Sequence, residues 1–190
     1  MKKLLFNPFE KYSELHLLLV GVIITIIGSL SAFYFNGRFD GAIDLHFGSG
    51  VTLWEPFIDN AINIVSLFIF LFILGRIINN KTRSIDILTT ILIARLPFYL
   101  LTLINGNGII KNIETKIDPL NPYNITFTPL EIAILLVFAL VTLLFLVWFI
   151  ALLYNGFKTA TNIKTTQHKI LFAVAILLAE ILSKFIFFIL

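Results

Sequence analysis

The 190-residue sequence contains no cysteine. Disulfides, thiolate catalysis and cysteine metal ligation are therefore excluded, and either side of a membrane suits its redox chemistry. Charge is also scarce. Only 13% of the residues are charged against 58% hydrophobic, where a soluble domain carries roughly 25% charged residues. The three histidines, at 16, 46 and 168, fall in separate places. His46 stands beside Asp40 and Asp44, too few convergent ligands for a metal site. There is no HxxxH or HExxH pair, nucleophile elbow, phosphate-binding glycine loop or pair of catalytic carboxylates. No enzyme and no cofactor are expected. The positive residues are scattered among short segments, which excludes the clustered footprint of a nucleic-acid binder.

What is present is apolar length. Five runs, at approximately 15–35, 57–78, 85–104, 130–154 and 169–190, are each long enough to cross a bilayer. They use most of the chain and leave no room for a separate soluble domain. Residues 1–190 therefore read as a single all-α, polytopic membrane domain, with five transmembrane helices in one bundle. Lys2, Lys3 and Lys11 precede the first run as in a signal peptide, with Ser29 and Ser31 as small residues near its end. The run continues through Phe33, Tyr34 and Phe35, so an uncleaved first span is expected.

Nine positive residues lie on one side of this layout: Lys2, Lys3, Lys11, Arg76, Lys81, Arg83, Lys158, Lys164 and Lys169. Three lie on the other: Arg38, Lys111 and Lys116. The positive-inside rule then places the amino terminus in the cytoplasm and the carboxyl terminus outside. The expected location is a bacterial-type inner membrane.

Local signals fill in the layout. Gly21 and Gly28 lie close to one helical face and would permit close helix approach. Asn36 to Trp54 is rich in Gly, Asp and Asn and reads as an irregular connection, with Ala42 to Phe47 lying on the membrane surface. Pro56 suits the first turn of the second span, where Glu55, Asp59 and Asn63 form a polar stripe. The connection from Asn105 to Pro129 places Ile109, Ile110, Ile113 and Ile117 at helical spacing, which suggests a short amphipathic helix over Gly108 to Ile117. Pro119, Pro122 and Pro129 exclude a long regular element after it. Asn80 and Asn124 each begin a glycosylation triplet of the kind that also arises by chance.

The deep charges organise the rest. Arg95 lies near the middle of the third run and Pro97 follows two residues later. The proline removes the amide that would bond to the Ile93 carbonyl, so a helix kink is expected there. At 1.5 Å rise per residue, Arg95 lies roughly 15 Å, and Glu180 in the fifth run roughly 17 Å, from the cytoplasmic face. The matching depth suggests an Arg95–Glu180 pair. Lys184, about one turn further out, is placed to pair with Asp59 or Glu131, which come in from the outer side. These five residues are the candidate buried polar site. They neutralise one another and fix helix neighbours, or they line a cavity for a headgroup, an ion or part of a partner. Five spans do not divide into inverted halves, which disfavours a transporter unless it oligomerises. A small channel stays open as a reading, and an enzyme acting on lipid is the weakest.

The Asn7-Pro8-Phe9 leader, the five spans, Arg95-x-Pro97 and the Tyr154-Asn155-Gly156-Phe157-Lys158 exit from the fourth run resemble the Yip family. The resemblance covers nearly the whole chain. It implies a single five-helix membrane domain and supplies no catalytic residues. The eukaryotic members are associated with vesicle trafficking and small GTPases. Their long cytoplasmic amino-terminal region has no counterpart in the fourteen-residue leader read here, so that role does not carry over. The expected function is membrane organisation, with membrane lipids, a protein partner or a second copy as partners.

Overall fold

The computed structural model describes residues 5–114, 116 and 126–190. Lys2, Lys3, Ile117, Pro119, Pro122 and Asn124 lie outside the described residues. Among the described residues, five helices are long and apolar enough to cross a membrane. They comprise α1 (Glu14–Tyr34), α2 (Glu55–Ile78), the broken span of α3 (Ser84–Ala94) and α4 (Leu96–Leu101), α6 (Pro129–Thr161) and α7 (Thr166–Ile189). A short α5 (Ile109–Glu114) precedes α6 and tucks Ile110 and Ile113 inward.

The broken span is the centre of the bundle. In its most apolar window 72% of residues are buried, against 33% or less in the other four spans. The helix stops at Arg95 and resumes at Leu96, with Pro97 in the first turn of α4. α1 packs along α3 and α4, α2 along α7, and α6 along α3 and α4. Small residues set the closest approaches. A Cβ on Gly21 would lie 2.7 Å from Leu92, and one on Gly28 would lie 2.2 Å from the Tyr99 ring.

The connection after α1 is not irregular and does not lie on the membrane surface. Asn36, at φ 56°, turns the chain out of α1. It then forms an antiparallel hairpin of β1 (Gly37–Gly41) and β2 (Asp44–Phe47), with Arg38 opposite His46 and Gly41 opposite Asp44. Burial alternates along β1, and Phe39, Ala42, Leu45 and Phe47 are buried in the bundle core. The hairpin packs against α1, α2 and α7, its tip reaches Arg95 at the break of the third span, and the described residues are otherwise all-α.

The fourth span also differs from its sequence boundaries. It runs 33 residues to Thr161, about 50 Å at helical rise, where the hydrocarbon layer is about 30 Å. Asn155-Gly156 does not end it. Gly156 is there for approach, since a Cβ would lie 2.5 Å from Thr90 and 2.9 Å from Phe9. The helix ends instead at Asn162, in the left-handed conformation at φ 55°.

Candidate functional site

A two-stranded hairpin exposes backbone groups on both outer edges. At membrane depth each such group needs a partner, because the surroundings offer no water. Phe39, in β1, donates its amide to Asp59 Oδ2 at 3.1 Å, and its carbonyl accepts from Asn63 Nδ2 at 2.6 Å. The Ala42 amide donates to Ser183 Oγ at 3.1 Å and its carbonyl accepts from Arg95 Nη1 at 3.3 Å. The next amide, Ile43, donates to Glu180 Oε2 at 2.9 Å. The polar side chains inside the bundle are therefore the receptor for the hairpin's unpaired edges.

The expected direct pair of Arg95 with Glu180 is not formed. The two are joined through one peptide group, whose carbonyl faces the guanidinium while its N–H faces the carboxylate. This orients the peptide dipole along the field between opposite charges, a favourable arrangement in a low-dielectric interior. Both residues reach the same peptide, from opposite sides. What the sequence did not reveal is the hairpin tip lying between them.

Arg95 is fully buried. Its Nε donates to Asn60 Oδ1 at 3.0 Å, and its guanidinium carbon lies 5.4, 5.8 and 5.9 Å from the ring centroids of Phe39, Phe98 and Tyr99. Three ring faces, an amide oxygen and a peptide carbonyl replace water around the cation. Asn60 also accepts from the Tyr99 hydroxyl at 3.2 Å and donates to Ser29 Oγ at 2.8 Å, which extends the network to α1. Nη2 alone has no hydrogen-bond partner among the described residues.

The other candidates sit apart from Arg95. Asp59, 1% exposed, holds Arg38 in a two-pronged pair, with Nε 2.7 Å from Oδ2 and Nη2 2.9 Å from Oδ1. Arg38 also reaches Glu55 at 2.7 Å. Donating these hydrogen bonds to Asp59 raises the Arg38 guanidinium above its ordinary range. Lys184 pairs with neither Asp59 nor Glu131. It meets Asp44 of β2 at 2.6 Å and Glu180 at 3.5 Å, closing the hairpin against α7. Glu131 instead pairs with Lys116, and it forms a capping box with Thr128 at the start of α6. His46 faces Asp40 at 3.0 Å, and no group of three or more possible metal ligands occurs among the described residues.

Asn60, Tyr99, Ser183 and Ala42 are parts of this site that sequence reasoning missed. Asn60 adjoins the polar stripe that was visible at Asp59 and Asn63, and this was the available signal. Ser183 carried none, because its partner is a backbone amide 141 residues away.

A family model described as the Yip1 domain matches residues 4–188. No curated protein and no solved structure matches the chain.

Proposed function

The chain belongs to the Yip1-domain family, and from that premise we propose a non-enzymatic role in membrane organisation, with lipids or proteins held against the outside of a bundle that its buried charges keep rigid. The observation that supports this is the use already made of those charges. Asp59, Arg95 and Glu180 each hold a backbone group of the hairpin, and three aromatic rings close in on Arg95. A side chain occupied in this way holds the fold and does not wait for a ligand. The same reading takes residues 1–190 as one cooperative unit, with the amino terminus in the cytoplasm and the carboxyl terminus outside.

Native mass spectrometry on gently extracted protein tests it. The Arg95→Gln, Glu180→Gln double variant is expected to keep whatever lipid or protein the wild type carries, provided that its helix content is intact. Selective loss of a stoichiometric small adduct from a folded double variant would overturn the reading. One observation favours a second reading, a small transporter or channel: the unpartnered Nη2 of Arg95. Ion flux in proteoliposomes that disappears in Arg95→Gln would support it.

A further inference from the structure

The end of the bundle far from the hairpin holds a cavity of about 250 Å³, roughly the volume of eight liquid waters. The first turns of α1 and α3 and the last turns of α6 enclose it, with Phe9 and Tyr12 of the leader on one wall. Three charged side chains meet at its mouth. Arg83 Nη2 lies 2.6 Å from Glu14 and 2.8 Å from Asp86, and its Nε donates to Asp86 at 3.0 Å. Asp86 first and Glu14 second raise the guanidinium above its ordinary range.

As a strap between α1 and α3, this half-exposed triad is worth little, since water screens surface ion pairs and holding two long side chains in one geometry costs entropy. A strap also does not require a cavity behind it. Thr89 supplies the second observation. It lines the cavity and is 3% exposed, and its hydroxyl has no partner among the described residues. Helical threonines ordinarily return the hydroxyl to the preceding turn, as Thr25, Thr159 and Thr161 do here. Thr89 does not, which leaves a buried hydroxyl without a partner on a residue of the cavity wall.

The lining selects the ligand. Two carboxylates and one guanidinium leave a formal charge of −1, which repels a simple anion. A simple cation would pair with the carboxylates but offer the guanidinium no acceptor. A molecule carrying both signs satisfies all three. The cavity also sits where α1 and α3 begin, which is headgroup level for helices that span a bilayer. Leu15 and Leu19, exposed in the first turns of α1, offer acyl chains an apolar surface at the same end of that helix. Carboxylates accept hydrogen bonds, so a primary ammonium with three N–H donors fits better than a methylated one.

We propose that this cavity binds a zwitterionic phospho-amine headgroup of the phosphoethanolamine type, its ammonium on Asp86 and Glu14 and its phosphate on Arg83 and the Thr89 hydroxyl. The site shares no residue with the hairpin receptor, so it stands or falls separately from the role assigned to Arg95.

The test is native mass spectrometry of the full chain titrated with phosphatidylethanolamine, phosphatidylcholine and phosphatidylglycerol of matched acyl chains. Phosphatidylethanolamine is expected to be retained about tenfold better than either of the others. Asp86→Asn should remove that preference. Thr89→Val, which leaves the strap untouched, should weaken it severalfold at an unchanged melting midpoint. Competition by water-soluble glycerophosphoethanolamine assigns the site to the free headgroup, and resistance to it assigns the site to the lipid. Equal retention of the three lipids, or a preference that survives both Asp86→Asn and Thr89→Val, overturns the proposal.

Discussion

At the scale of the residue, Arg95 shows why a buried charge need not meet a counter-charge directly. Its cation is shared among Asn60, the Ala42 carbonyl and three rings, with Glu180 on the far side of the same peptide. Arg95→Gln removes the cation and leaves two buried acceptors short of a donor. We expect it to cost about 3 kcal/mol, read as a lowered melting midpoint in detergent. Unchanged stability would contradict the account. Arg95→Lys should fall between the two, because an ammonium lacks the planar fork that serves Asn60 and Ala42 together. Glu180→Gln keeps an oxygen for the Ile43 amide and should lose clearly less stability than Glu180→Leu. Gly28→Ala forces a Cβ to within 2.2 Å of the Tyr99 ring, and overpacking of this kind costs about 1–3 kcal/mol.

At the scale of the element, the hairpin carries the lesson about what was legible. The five apolar runs announced five spans because a bilayer demands length and low charge, and both are properties of a single stretch of sequence. The hairpin's own signal was present but short. Phe39 alternates with Arg38 and Asp40, and Leu45 and Phe47 alternate around His46, giving period two over only a few residues. Asp40 and Asp44 drew that stretch toward the surface. Their apolar neighbours could point inward only because α2, α7 and Arg95 supplied partners for the backbone, and no local pattern records that. The fourth span failed for a related reason: Asn155-Gly156 is a turn signal by propensity, yet tertiary packing on Thr90 and Phe9 uses the glycine inside a helix. Asp59→Leu strands Arg38 and the Phe39 amide together. We expect it to destabilise the hairpin more than Lys184→Gln, which breaks a half-exposed pair with Asp44 and a longer one with Glu180. Hydrogen exchange over residues 37–47 compares the two.

At the scale of the whole molecule, the candidate site reads as the inner wall of a receptor for the chain's own re-entrant segment. Matching depth associated Arg95 with Glu180, but the sequence could not show that a peptide from the connection after α1 lies between them. Thermal unfolding is expected to be one transition for spans and hairpin together, since the hairpin's backbone depends on side chains from α2 and α7 and on Arg95 at the break of the third span. The most direct measurement uses the absence of native cysteine. Single cysteines are placed at Ala42, fully buried, and at Ser49, exposed, and their maleimide labelling rates are compared in the folded, membrane-embedded protein. A hairpin seated in the bundle makes Ala42→Cys at least about tenfold slower than Ser49→Cys, a difference equivalent to roughly 1.4 kcal/mol of protection. Adding Arg95→Gln should narrow the gap. Equal rates at the two positions would place the hairpin tip outside the bundle and contradict the account.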